Sequence, residues 1–176
     1  MNISFVITVL GPDRPGLVSA LATRAGNCGA NWLESNMAQL AGQFAGIVRL
    51  DIEARSADAL ETALRGLETE GLRLTIERSA ASASADTPRA TTLEVLGHDR
   101  PGIVRDISAV LARHGASIDR LDTFCESASF SGEPLFRARI ALHLPAALAL
   151  ASLQTDLEAL ADELMVDISL AGDTAG

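Results

Sequence analysis

Lysine is missing from this 176-residue chain: all 14 basic residues are arginine, set against 23 acids, for a net charge of −9. Phosphate backbones are held by clustered cations, so this balance argues against direct nucleic-acid binding. It disfavours anionic membrane surfaces equally. The shortage is sharpest over residues 145–176, which carry Asp156, Glu158, Asp162, Glu163, Asp167 and Asp173 and no base. That run reads as a solvated helix face, with a docking face for a basic partner as the alternative. Cysteine is scarce as well. Cys28 and Cys125 stand alone, with no CxxC pair and no cysteine/histidine cluster. They read as two buried free thiols of a reducing cytoplasm rather than a disulfide or a metal site. No apolar run approaches the roughly 20 residues that span a bilayer. The N-terminus MNISFVITVLGPD has no basic leader and no small-residue cleavage site, so it reads as a first strand, not a signal peptide.

What is present is a globular composition, 48% hydrophobic, in a length that suits one medium domain or two small ones. A repeat decides between them. The stretch VLGPDRPGLV, residues 9–18, returns as VLGHDRPGIV, residues 95–104, identical at eight of ten positions.

The pattern around the first copy alternates at Ile3, Phe5, Ile7 and Val9, which predicts a half-buried strand. Beyond it, Leu17, Val18, Leu21, Ala22 and Ala25 have the spacing of an amphipathic helix that stops at Gly29. A strand over 31–40, a hairpin turn at Ala41-Gly42-Gln43 and a strand through Val48, Leu50 and Ile52 follow. Ser56 is placed to cap a second helix bearing Leu60, Ala63, Leu64 and Leu67, and Leu72, Leu74 and Ile76 predict a closing strand.

The order is β-α-β-β-α-β, the split βαβ or ferredoxin-like arrangement. Residues 79–90, SAASASADTPRA, have the composition of a linker. The same order then repeats: a strand at 91–97, a helix at 103–114, strands at 116–125 and through Phe136–Leu142. A helix beginning at Pro145 and a strand through Val166, Ile168 and Leu170 complete it. A longer hairpin loop, 126–134, distinguishes the second unit. The expected fold is therefore α+β, two tandem βαββαβ domains with antiparallel sheets, at 1–78 and 91–171.

The repeated loop joins a strand to a helix. Pro15 is suited to the helix start, and Asp13 to capping the first turn or to an Asx-type bond. Gly16 leaves the first-turn amides open, where a carboxylate is attracted. Asp13, if not spent on capping, could take an ammonium group. One small molecule bearing both groups is an amino acid. Asn31, at the start of the next strand, offers a side-chain amide to the same ligand; Ser117 is its counterpart. The same pattern is also sound turn chemistry, yet Arg14 and Arg100, present in both copies, are not needed by a turn.

Catalytic signatures are missing. There is no glycine-rich phosphate loop, no metal-ligand spacing and no nucleophile elbow. His98, His114 and His143 are scattered over a loop, a helix end and a strand, so no catalytic residue, cofactor or metal is expected.

At Asp13–Gly16 and Asp99–Gly102, followed by the aliphatic pairs Leu17-Val18 and Ile103-Val104, the sequence resembles the ACT domain, a small βαββαβ regulatory module. The resemblance covers nearly the whole chain. Two such units without a catalytic domain, with GEPLFRARIALHLP at 132–145, resemble the glycine cleavage system transcriptional repressor family. ACT units with similar loops also precede the catalytic domain of formyltetrahydrofolate deformylases, which is not found here.

The resemblance implies a cytoplasmic, non-enzymatic regulator. It would respond to a small amino acid, glycine first, and act through a partner transcription factor without touching DNA. It also implies paired modules with ligand at their interface, and a homo-oligomer, the modules pairing within one chain or across two. The implied ligand residues are Asp13, Arg14, Gly16, Leu17 and Asn31 in the first unit. In the second they are Asp99, Arg100, Gly102 and Ile103, and Ser117 departs from the pattern. The competing reading is a scaffold whose repeats mediate oligomerisation without ligand.

Overall fold

The computed structural model describes residues 1–79, 89–127 and 134–171. Two units emerge, Met1–Ala83 and Ser84–Gly176. Of the linker expected over 79–90, residues 80–88 lie outside the described set, while Ser79, Arg89 and Ala90 are strand residues. Most of the loop expected over 126–134 lies outside it too.

In the first unit the elements are β1 (Asn2–Pro12), α1 (Leu17–Asn27), β2 (Asn31–Leu40), β3 (Gln43–Glu53), α2 (Ala57–Arg65) and β4 (Arg73–Ser79). A 3-10 segment, Gly66–Glu70, separates α2 from β4. The sheet order is β2-β3-β1-β4, antiparallel throughout. Strand alternation sends Phe5, Ile7 and Val9 of β1 and Val48, Leu50 and Ile52 of β3 under the helices. There they meet Leu21, Leu60, Leu64 and Leu67. Burying each such side chain stabilises the unit by about 1.5–3 kcal/mol. The turn between β2 and β3 needs positive φ at two successive residues, and Ala41 (49°) and Gly42 (76°) supply it.

The second unit repeats the plan: β5 (Arg89–His98), α3 (Ile103–Arg113), β6 (Ser117–Ser127), β7 (Pro134–Leu144), α4 (Leu150–Leu164) and β8 (Val166–Ala171), in sheet order β6-β7-β5-β8. Its core gathers Leu93, Val95, Ile107, Leu111, Ile140, Leu142, Leu153 and Leu157. Both units are thus α+β with the βαββαβ order.

Four details differ from the sequence reading. Pro15 is not the first helical residue. Gly16 intervenes as the N-cap with φ 92°, and the helix starts at Leu17. Pro145 does not open α4 either. Residues 145–148 form a turn closed by the Leu148 N–H on the Pro145 carbonyl (3.0 Å), and Leu148 packs on the core before the helix begins at Leu150.

Val18 and Ala22 face outward, so α1 buries only the stripe Leu17, Leu21 and Ala25 that points into the sheet. Cys125 is exposed, not buried, because β6 is an edge strand with cover from one neighbour only; Cys28 is half-buried, and both thiols are free.

Candidate functional site

The residues of the repeated stretch divide into those the fold requires and those it does not. Val9 is core and Leu17 is core. Gly11 permits a close approach: a Cβ there would stand 2.9 Å from the Gly71 carbonyl oxygen and 2.7 Å from Leu72 Cδ2. Gly97 is pressed in the same way against Val166. Gly16 and Gly102, at φ 92° and 102°, adopt a left-handed conformation that disfavours any side chain. These glycines are what the fold requires. Asp13, Arg14, Asp99 and Arg100 are exposed and are not required by packing.

The Asp13 N–H donates to the Gly42 carbonyl (2.9 Å), which pins the loop to the β2–β3 turn; Asp99 N–H donates to Pro134 in the same manner (3.0 Å). Neither helix start receives a side-chain cap. The capping role considered for Asp13 is therefore not taken up, and its carboxylate has no hydrogen-bond or ion-pair partner among the described residues. The first intrahelical bond of α1 runs from the Ala20 N–H to the Gly16 carbonyl (2.8 Å). The amides of Leu17, Val18 and Ser19 consequently lack an intrahelical acceptor. Leu17 and Ile103 are buried, so each can offer a ligand its backbone amide but not its side chain.

The two loops differ electrostatically. No acid lies in the first turn of α1, and nothing stands within 4 Å of a Cβ on Gly16. In the first turn of α3, Asp106 is paired with Arg105 (2.7 Å), and both side chains crowd the space over Gly102. Hydrogen bonding from Arg105 holds the Asp106 carboxyl below its ordinary range, so a fixed negative charge already sits at that helix start. The first loop is open and the second is covered.

Asn31 does not join this group within one unit. It pairs with Asp51, which pairs with Ser4, whereas the loop follows Pro12, which pairs with Gln43. α1 carries the chain back down the sheet before β2 starts. Asn31 therefore lies about 26 Å from the loop along the strand direction at roughly 3.3 Å per residue. Ser117 is displaced likewise, level with His143 and Ala90 while the loop follows His98.

The side chains that do meet the first loop went unnoticed in the sequence. Arg14 Nη2 donates to the Glu70 carbonyl (3.0 Å) and to Glu70 Oε2 (3.1 Å), and Arg24 Nη2 donates to Glu70 Oε1 (2.5 Å). Neither Glu70 nor Arg24 belongs to the repeated stretch, so nothing in it pointed to them.

The three histidines remain apart. His114 caps α3 and meets Asp156 of α4 (2.9 Å), His143 pairs with Asp119, and His98 is exposed at the end of β5. Among the described residues no group of three or more His, Cys, Asp or Glu is disposed to hold a metal ion, and no helix is long and apolar enough to cross a membrane. An open concavity of about 590 Å³ lies on the outer face of the second sheet, between Glu94, Arg120, Asp122, Phe124, Arg137 and Arg139. Four of its charges pair across it, Arg139 with Glu94 and Arg120 with Asp122, Arg137 pairs with Glu126 outside it, and none of the loop residues lines it.

Comparison with known proteins gives this geometry a family. ACT-domain profiles match residues 4–77 and 91–162. The glycine cleavage system transcriptional repressor of Escherichia coli strain K12 is 27% identical over 161 residues, spanning 90% of this chain and 84% of the relative. A crystal structure of an unknown protein from Galdieria sulphuraria superposes with a TM-score of 0.85 at 34% identity, covering 97% of this chain and 98% of that one. A crystal structure of a candidate glycine cleavage system transcriptional repressor superposes at 0.71 with 21% identity, covering 97% of each chain. The chain belongs to the ACT-domain family and carries two ACT domains in tandem.

Proposed function

We propose that this protein is a non-enzymatic regulator that senses a small amino acid, glycine foremost, and controls transcription through a partner protein without binding DNA itself. The observation that carries the reading is the pairing at the first loop of an unpartnered Asp13 carboxylate with uncapped amides behind Gly16. Those two features complement the ammonium and carboxylate of one amino acid. Similarity to a transcriptional repressor along 90% of the chain supports the regulatory role. The net charge of −9 supports a protein partner over a phosphate backbone.

Asn31 takes part only if a second module brings it to the loop, which ties ligand binding to oligomerisation. For the second unit, the Arg105–Asp106 pair over Gly102 favours a scaffold role without ligand.

Calorimetric titration with glycine, serine, alanine and the branched-chain amino acids tests this, repeated on Asp13→Ala and Asn31→Ala. Saturable binding lost in Asp13→Ala is expected, and concurrent loss in Asn31→Ala places the site between modules. No heat with any of them moves the assignment to the scaffold.

A further inference from the structure

Glu70 is where the first unit departs from a simple open loop. Its one carboxylate is shared by two guanidiniums, Arg14 and Arg24, and its backbone carbonyl accepts from Arg14 as well. Donors exceed acceptors here, since Arg24 Nη1 is sealed from solvent with no acceptor among the described residues. Hydrogen bonding from Arg24 holds the Glu70 carboxyl below its ordinary range. The second unit has no counterpart: buried Val110 stands where Arg24 would be, and Arg100 has no partner among the described residues.

We propose that Glu70 is a built-in competitor for Arg14, which an incoming amino acid displaces. The ligand carboxylate, besides the amides behind Gly16, takes the Arg14 guanidinium, the ligand ammonium takes Asp13, and Glu70 remains on Arg24 alone. This rests on the amino-acid-sensing reading and adds its regulation. Displacement also gives the signal a route. Arg14 is a tether on the 3-10 segment Gly66–Glu70, and the chain just beyond it, Gly71-Leu72, is packed against Gly11 ahead of the loop. A ligand that takes Arg14 removes that tether, so occupancy of the loop is read out as loosening of residues 66–72.

Titration of Glu70→Gln and Arg24→Met with glycine, alanine and serine tests the proposal. Glu70→Gln keeps the shape and removes the charge, and the expected result is about two- to five-fold tighter binding, the range of an exposed ion pair. Arg24→Met leaves Glu70 wholly to Arg14 and is expected to weaken binding. A merely structural Glu70 would not move the two variants in opposite directions.

Saturating wild-type protein with the amino acid that binds should also speed amide hydrogen exchange in residues 66–72. Wild-type binding that neither variant shifts, or that both weaken, overturns the competitor and leaves the sensor standing. Absence of binding in wild type and in Glu70→Gln overturns both. Binding by Glu70→Gln alone supports the competitor outright.

Discussion

The carbonyl oxygen of Gly71 lies 2.9 Å from the point where a Cβ on Gly11 would stand. This contact ties the end of β1 to the segment entering β4, and it explains why Leu-Gly precedes the loop in both copies. At Gly97 the partner is Val166, with the side chain and the backbone of that residue both inside contact distance.

Gly11→Ala should therefore destabilise the first unit by about 1–3 kcal/mol through overpacking, because the obstructing oxygen is backbone and moves only with its segment. Gly97→Ala should cost the second unit as much. Urea denaturation followed by circular dichroism measures both, and midpoints equal to wild type would show that the two segments can part without penalty.

Gly16→Ala presents a different problem. Nothing lies within 4 Å of the added methyl, so the loss, about 1–2 kcal/mol, comes from φ 92° alone. Gly16→Asn should recover part of it, since asparagine tolerates the left-handed region better. If both variants melt at the same temperature as wild type, the N-cap conformation is not under that constraint.

α4 starts without a side-chain cap. Ala149 is extended, at φ −74° and ψ 101°; its carbonyl accepts from the Ser152 N–H (3.0 Å), but it has no side-chain oxygen to offer the remaining first-turn amides. Ala149→Ser should stabilise the second unit by about 1 kcal/mol. An unchanged or lowered urea midpoint would mean that those amides are already satisfied.

Acid should weaken the first unit through Glu61. Hydrogen bonds from Arg78 and then Arg65 hold its carboxyl below the ordinary value, at 2.7 Å and 2.9 Å respectively. A depressed folded-state pKa gives stability that is fully present above the unfolded value, about 4.3. That stability disappears as pH falls through the lower folded value. Denaturation at pH 7 and pH 3 should therefore show a larger drop for wild type than for Glu61→Gln; equal drops would dismiss Glu61 as a contributor.

Much of this was legible in the chain because period-two alternation and the 3.6-residue stripe report directly which side of an element is covered. Phe5, Ile7 and Val9 are buried as their spacing implies, and so are Leu60, Leu64 and Leu67. Boundaries were harder. Pro145 is well suited to a helix start, but Leu148 packs on the core first and delays the helix to Leu150.

The candidate site was legible only along the chain. Asp13, Arg14 and Gly16 are neighbours in sequence and remain so in space. Asn31, expected beside them, is set by the strand register at the far end of the sheet. Glu70 and Arg24 carried no local signal at all.

The duplicated βαββαβ order, the covered faces of its strands and helices and the helix-start glycines Gly16 and Gly102 were legible in the chain, since each depends on residues close together in it. That Arg14 is held by the carboxylate of Glu70, 56 residues on, and that one loop is open while the other lies under Arg105 and Asp106, emerged only from the folded chain. Charge pairs between distant segments leave no periodicity to read, because a single arginine meets a single glutamate only once the sheet has set their separation.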